Sequence, residues 1–294
     1  MADCSKMAEA FLLMLLTGLL WTVVAVLFGR VPPGREEIRA FFALNGAVFT
    51  AVAFAARAPQ AAPPAEVLRL AALVVVPGSA MEAVSAPLLK LAMDRGGQGV
   101  AWSIAQSSVV IPFAGSVLFL GAKLAAFHVA GLALMLASLA LFAREKGGCA
   151  GNDAVFFRLV FAAFLFSGLG SFVRLVPGHA GFSPETLTWR LPLQALPGTA
   201  FWACLAARRW RPGPVWRHSL FAGSASALGA LFFYAAADAA DKVALTSLVM
   251  PVAVGVCIFL FTLWCRIVRH ERLSRGGRLA VALDVAGIAL LSLQ

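Results

Sequence analysis

Long apolar runs, separated by charged residues, glycines and prolines, dominate the hydrophobic pattern of this chain. A helix needs roughly 20 apolar residues to cross a bilayer, and the ten-residue alternating segments of an outer-membrane barrel do not occur. The first run is longer than the core of a signal peptide, so we expect it to be retained. The pattern predicts about ten transmembrane helices, at 8–29, 37–56, 67–91, 99–120, 125–143, 155–176, 184–207, 217–237, 243–265 and 278–293.

Two pairs of similar segments indicate that the chain consists of two halves. "HVAGLAL" (128–134) returns as "DVAGIAL" (284–290), and a helix that opens on Gly-Ser-Ala and ends on Asp occurs at 78–94 and at 223–238. Because each half has five helices, an odd number, the second must be inverted relative to the first, as in many secondary transporters. We therefore expect an all-α polytopic membrane protein with inverted five-helix repeats at 1–143 and 155–294, joined by a loop at 144–154.

Composition and charge agree with a bilayer environment. The chain is 61% hydrophobic and only 13% charged, which is more apolar than a soluble core of this size requires. Its net charge of +10 would suggest nucleic acid for a soluble protein, but most Lys and Arg residues follow predicted helices one, three, five, seven and nine. The positive-inside rule then places those connections in the cytoplasm and both termini outside. The simplest role for these charges is to set topology and contact anionic lipid.

Signatures of enzymes and metal sites are missing from the sequence. The five cysteines form no Cys-x-x-Cys pair, so packing is their default use and no disulfide framework is indicated. HExxH, GxSxG, P-loop and dinucleotide-binding motifs are absent, and the four histidines are scattered. We therefore expect no enzymatic activity, no metal and no cofactor.

The closing segments of both halves share a recognisable plan. In 241–293 a proline-containing helix leads to the turn Glu271-Arg272-Leu273-Ser274 and then to a helix with the small-residue step Ala286-Gly287. This plan resembles the end of an EamA-type repeat of the drug/metabolite transporter superfamily. Segment 101–142 looks like the same unit, and its Trp-Ser-x-x-Gln start is similar to the glucose/ribose or rhamnose porters of that superfamily, although Ala122 stands where the turn usually carries Glu.

The resemblance implies a transporter of small solutes, but superfamily members move sugars, amino acids, nucleotide sugars and drugs. The family's usual topology places both termini in the cytoplasm, whereas the charge count places them outside. Both orientations stay open at this point.

Glu82 is the first candidate for the transport site, because polar groups in the bilayer interior are costly and often functional. It lies about sixteen residues into the third predicted helix, where Pro77-Gly78 and Pro87 can bend the helix and free carbonyls to line a cavity. The carboxylate could carry a coupling proton, or accept hydrogen bonds from sugar hydroxyls or an amine. The alternative is a protonated Glu82 that simply bonds to a neighbouring helix.

Two further helices carry candidate binding groups. Trp102 and Gln106 are spaced i,i+4 on one helix face, and an indole beside an amide suits sugar binding. Trp102 could instead belong to the interfacial belt. In the seventh helix, Ser183 is the predicted N-cap. Trp189, Arg190 and Gln194 follow it; Arg190 could attract an anion, pair with Glu82 or extend to the headgroups.

Four more residues complete the predicted set. Asn45 is a candidate for the cavity wall. Tyr234, the only tyrosine, stands opposite Lys90 when the two Gly-Ser-Ala segments are aligned, and both side chains could reach the cavity. His128 and Asp284 are the differing residues of the repeated heptads. We expect them at the repeat interface or in a homodimer contact rather than in a proton relay.

These observations predict a multi-pass protein of the cell (inner) membrane that works as a secondary transporter by alternating access. The substrate is a small polar metabolite, a sugar first, and the transporter would be a symporter driven by protons. An exporter of amino acids or amphipathic drug-like solutes is the alternative. From another class, a non-transporting scaffold or a lipid-modifying membrane protein also fits the hydrophobic pattern.

Overall fold

The computed structural model describes residues 4–56, 58–119, 125–144, 154–174, 176, 181–207, 213, 215–241, 246–271 and 274–291. Across these ranges the chain is helical and contains no strand. Its ten helical segments are α1 (Cys4–Gly29), α2 (Arg35–Ala56), α3 (Pro64–Arg95), α4 (Gln98–Phe119), α5 (Ala126–Arg144), α6 (Ala154–Val173), α7 (Pro184–Leu187, Arg190–Leu193 and Leu196–Ala207), α8 (Val215–Asp241), α9 (Thr246–Val268) and α10 (Arg275–Leu291).

The described helices have the lengths and composition expected of a membrane protein. Six of them, α1 to α4, α6 and α8, are long and apolar enough to cross a bilayer. Shorter apolar stretches occur in α5 (Ala126–Phe142) and α9 (Val252–Val268). Many large apolar side chains, among them Leu68, Leu118 and Phe119, are exposed. Outward apolar surface of this extent marks contact with lipid or another apolar surface.

Prolines explain where α3 and α4 depart from regular geometry. A proline lacks the N–H that would bond to the carbonyl four residues earlier, and its ring clashes with that carbonyl. Four residues before Pro77 lies Leu73, inside the π-helical turn Ala71–Val75, and four before Pro112 lies Ser108, inside the 3₁₀ turn Ser107–Val109. Both long helices therefore leave α-helical hydrogen bonding for one turn, which is wider than an α-helical turn in α3 and tighter in α4.

The prediction of one continuous helix at 184–207 is wrong, because α7 consists of three short pieces. Two prolines again explain the interruptions: four residues before Pro192 is Thr188, in the first break, and four before Pro197 is Leu193, at the second. The predicted N-cap is confirmed, since the Ser183 Oγ accepts a hydrogen bond of 3.3 Å from the N–H of Thr186.

The helices pack in pairs that correspond when the two halves are exchanged. In this exchange α1 corresponds to α6, α2 to α7, and so on to α5 and α10. Helix α1 packs against α8 and α9, and α6 packs against α3 and α4. Helix α2 packs against α8, and α7 against α3. Three further pairs, α2 with α7, α4 with α9 and α5 with α10, join corresponding helices directly.

The repeated heptads meet where α5 packs against α10. A Cβ added to Gly131 would lie 2.8 Å from the carbonyl oxygen of Gly287, and a Cβ added to Gly287 would lie 2.7 Å from that of Gly131. Since real Cβ atoms do not approach a carbonyl this closely, both positions require glycine. The contact is reciprocal, since each glycine faces the carbonyl oxygen of the other.

Hydrogen bonds close to the helix termini define two ends of the molecule. At one end Glu66, in the first turn of α3, accepts hydrogen bonds from the hydroxyls of Ser183 and Thr186, both 2.8 Å, so the starts of α3 and α7 meet there. At the other end Glu271 accepts hydrogen bonds of 3.1 Å from the backbone N–H groups of Gln98 and Gly99. We call these the Glu66 end and the Glu271 end.

Candidate functional site

A cavity of about 350 Å³ lies between helices of both halves. This volume falls within the range of small-molecule pockets, which run from roughly 300 to 1,000 Å³. Its lining mixes polar and aromatic side chains. The polar ones are Asn45, Ser79, Glu82, Gln106, Ser167, Ser171, Arg174, Gln194, Thr199 and Ser226, and the aromatic ones are Trp21, Phe42, Phe49, Trp102 and Trp202.

An ion pair in the cavity wall links α3 to the end of α6. The Nη2 of Arg174 donates a 2.8 Å hydrogen bond to the Oε2 of Glu82. The side chains are 22% and 53% exposed, respectively, so solvent reaches both charges. Arg174 packs over Gly78, whose missing side chain leaves room for the arginine stem. The pair therefore offers an anionic and a cationic group to a ligand in the cavity.

Arg174 is a cavity residue that the sequence prediction missed. It follows α6 directly, and in the sequence it counts only as one of the charges of a helix connection. One alternative from the sequence was that Arg190 pairs with Glu82 when the cavity closes; in this structure the partner of Glu82 is Arg174. Arg174 lies two residues before the end of the predicted run 155–176, and a basic residue so close to the end of an apolar run occurs at many ordinary connections.

Three side-chain amides reach the cavity from three helices, as the sequence predicts for Asn45, Gln106 and Gln194. The buried Oδ1 of Asn45 has no hydrogen-bond partner within the described part of the chain. Gln106 directly precedes the 3₁₀ turn of α4, and Gln194 lies in the second break of α7. The backbone oxygen of Gln194 accepts a hydrogen bond from the hydroxyl of Ser79. Irregular turns thus place polar groups in the wall.

Trp102 lines the cavity from within the protein core. Its side chain is only 7% exposed, and its ring centroid lies 5.3 Å from that of Phe261 and 6.4 Å from that of Phe28. A position in an interfacial belt is therefore wrong for Trp102. On another wall, Trp202 and Phe42 have ring centroids 5.2 Å apart. These rings give the cavity apolar faces beside its amides.

Trp189, Arg190 and Tyr234 do not line the cavity, although all three were predicted to bind substrate. The Arg190 guanidinium lies 4.9 Å from the centroid of the Tyr234 ring, which is a cation–π contact. The indole N–H of Trp189 donates a 2.8 Å hydrogen bond to the backbone oxygen of Gln60. Lys90, the expected neighbour of Tyr234, is instead buried and paired with Asp94. These residues stabilise helix packing and a connection.

His128 and Asp284 lie in different surroundings. Asp284 is fully buried and accepts a 2.8 Å hydrogen bond from the hydroxyl of Ser107 on α4, so it offers no surface to a second copy. The Nδ1 of His128 accepts a 3.0 Å hydrogen bond from the N–H of Ala125, and its ring centroid lies 5.1 Å from that of Phe113. The direct contact between the heptads is made by Gly131 and Gly287 instead.

Among the described residues, no group of three or more His, Cys, Asp or Glu side chains could hold a metal ion.

Comparisons with known proteins establish the fold alone. No model of a known protein family matches the chain, and no curated protein sequence matches it. A protein known from a crystal structure superposes with a TM-score of 0.63, covering 97% of this chain and 98% of its own, with 20% identical residues. At this identity the likeness supports a shared architecture over nearly the whole chain and carries no activity with it.

Proposed function

We propose that this protein is a secondary transporter for a small polar metabolite and that the cavity beside Glu82 is its substrate site. The observation that carries the proposal is the Glu82–Arg174 ion pair, which stands with three amides and several aromatic rings in one cavity between the halves. Such a mixture of convergent polar groups and apolar faces is typical of small-molecule sites.

The pairing of the helices supports an inverted-repeat architecture with ten transmembrane helices. Every principal packing pair described above has a counterpart when the halves are exchanged. The reciprocal contact of Gly131 and Gly287 has the same symmetry. Inverted repeats of this kind place the substrate at the repeat interface, and rocking of one half against the other exposes it to each side in turn.

A sugar is the first candidate substrate. The side-chain amides of Asn45, Gln106 and Gln194 can donate and accept hydrogen bonds, as neutral hydroxyl groups require. The Oδ1 of Asn45 is unpartnered among described residues and awaits a donor. The indole faces of Trp102 and Trp202 can contact the apolar face of a sugar ring.

An amino acid is the second candidate, favoured by the Glu82–Arg174 pair. The carboxylate of an amino acid would bind Arg174, and its ammonium group would bind Glu82. Both charges are partly exposed, so a zwitterion could replace the internal pair at little cost in desolvation. In either case, protonation of Glu82 would release Arg174 and couple binding to a proton gradient.

A ligand screen on the purified protein tests the proposal. Thermal unfolding in detergent is measured with sugars, amino acids, nucleosides and cationic drugs, since a ligand at 100 times its Kd adds about 2.7 kcal/mol of stability. The screen is repeated with Gln106→Ala and Arg174→Gln. We expect Gln106→Ala to lower affinity at least fivefold for the true substrate. Loss of binding in Arg174→Gln would select an amino acid, and retained binding would select a sugar.

Tyr234→Phe is the matched control, because Tyr234 lies outside the cavity lining and Phe retains its ring beneath Arg190. Binding should be unchanged in this variant. Absence of a ligand in every class, or equal weakening in the control, would contradict the cavity assignment and favour a scaffold or a lipid-modifying protein.

A further inference from the structure

A second cavity, of about 460 Å³, lies at the Glu271 end of the molecule. Four parts of the chain form it: the α1–α2 connection, the end of α3, the start of α4 and the residues after α9. The side chains on which its chemistry depends are Arg30, Asp94, Arg95, Gln98 and Arg269. None of them belongs to the substrate cavity.

The three arginines bring positive charge that no carboxylate of the cavity neutralises. Within the described residues, Arg30, Arg95 and Arg269 take part in no ion pair. Arg30 is instead held over the ring of Trp264, with its guanidinium carbon 5.7 Å from the ring centroid. All three arginines are exposed, so their donors remain open to a ligand.

Two carboxylates close to the cavity, Asp94 and Glu271, are already engaged. Asp94 forms an ion pair with Lys90, whose side chain is only 1% exposed. Glu271 accepts hydrogen bonds from the backbone N–H groups of Gln98 and Gly99 at the start of α4. Neither acid is therefore free to pair with the arginines, and an outside anion would bind with little competition. Arginine is also the side chain best suited to bidentate binding of phosphate.

Gln98 adds a requirement on a second group of the ligand, beside its anionic group. Its side chain is 3% exposed, and its Nε2 donates a 3.2 Å hydrogen bond to the backbone oxygen of Gly29. The Oε1 of the same amide is buried and has no donor among the described residues. Since a buried acceptor without a donor is costly, the site favours a ligand with a hydroxyl or ammonium group near its anionic group.

We propose that this cavity binds a phosphate ester that carries a hydroxyl or ammonium group, with the phosphate on Arg30, Arg95 and Arg269 and the donor on the Gln98 Oε1. Two sources supply this chemistry. One is the headgroup of a phospholipid in the adjacent leaflet, and the other is a soluble phosphate ester. The charge pattern predicts that this end faces the cytoplasm, where both occur. The site is separate from the transport site and does not depend on transport activity.

The test compares two triple variants of equal charge. Arg30→Gln/Arg95→Gln/Arg269→Gln removes the cavity arginines, and Arg266→Gln/Arg275→Gln/Arg278→Gln removes three exposed arginines of the same end that do not line the cavity. Binding of phosphatidylglycerol is measured by native mass spectrometry in detergent. Binding of glycerol 3-phosphate and of inorganic phosphate is measured by equilibrium dialysis at low salt, because salt screens exposed charges.

We expect the cavity variant to lose at least tenfold in affinity and the control variant less than twofold. Binding of phosphatidylglycerol alone would identify a lipid as the ligand, and binding of glycerol 3-phosphate alone would identify a soluble ester. Binding of both would show that the site recognises the headgroup chemistry that the two share. Inorganic phosphate should bind more weakly than its glycerol ester, because it lacks the second group. Equal losses in the two variants, or no binding of either ester, would overturn the proposal.

Single variants keep the test decisive if a triple variant does not fold, as judged by gel filtration. Arg269→Gln should then weaken binding at least threefold, whereas Arg266→Gln, only three residues away, should leave it unchanged. The same loss in both would count against a discrete site.

Discussion

Helix α3 carries two ion pairs in opposite environments. Glu82 pairs with Arg174 beyond the end of α6, and the two side chains are 53% and 22% exposed. Two turns further along, Lys90 pairs with Asp94 one turn away, and Lys90 is only 1% exposed. The first pair joins two helices inside a cavity, and the second lies within one helix.

The difference decides which pair can change partners. Charges in a partly exposed pair keep much of their hydration, so separating them costs little. A buried ammonium group that loses its partner has neither hydration nor compensation, and its isolation is costly. In the proposed transport cycle the Glu82–Arg174 pair could therefore open for a proton or a substrate, whereas the buried Lys90–Asp94 pair would stay closed.

Removing the partner of the buried lysine should have the largest effect on stability. Asp94→Asn keeps the shape of the side chain but leaves Lys90 uncompensated, and we expect a loss of about 3 kcal/mol. Denaturant unfolding in detergent micelles, followed by tryptophan fluorescence, measures it. Lys90→Met/Asp94→Asn should recover most of the loss, because the buried charge is removed as well. A loss below about 1 kcal/mol in Asp94→Asn would contradict a structural role.

Glu271→Gln should have an intermediate effect. Glu271 is half-buried and joins the α9–α10 connection to the first two N–H groups of α4. Its charge also lies at a helix N-terminus, where a negative charge is favourable. We expect a loss of about 1–2 kcal/mol, since hydrogen bonds to charged groups contribute this much. The exposed Glu9 on α1 is the control, and Glu9→Gln should leave the unfolding midpoint unchanged. Equal effects would show that the hydrogen bonds are unimportant.

Glu82→Gln should change stability least, by less than about 1 kcal/mol, because the pair is partly exposed. Its effect should appear in function instead. In proteoliposomes we expect the variant to retain exchange of substrate but to lose accumulation driven by a proton gradient. Asp94→Asn, tested at a temperature where it is folded, should retain both. Full accumulation by Glu82→Gln would rule out this residue as the coupling group.

The helices could be predicted from sequence because apolar length is a strong local signal. The run at 37–56 became α2 and the run at 155–176 became α6, with ends that moved by only a few residues. The breaks of α7 were missed because the length of the run was weighed above the polar residues Glu185, Arg190 and Gln194 inside it. The prolines at 192 and 197 predict the two breaks, since each proline disrupts the helical hydrogen bonding of the turn before it.

The cavity was predicted in part, and the errors have one physical origin. Spacing along a helix gives the depth of a residue but not the neighbour that it faces. Glu82, Gln106 and Asn45 are polar residues inside apolar runs, and they line the cavity. Arg190 and Tyr234 were placed in the same cavity, but they face each other. The side toward which a residue points depends on packing between distant segments, which one sequence does not reveal.

The reciprocal contact of Gly131 and Gly287 also limits how the two halves can move. Each backbone occupies the space where the other residue's side chain would begin, so sliding along this contact would drive the next, larger residues into the opposing helix. Tilting about it moves those residues very little. If the halves rock as proposed, the two glycines would be the fulcrum, and the displacement of any other residue would grow with its distance from this point.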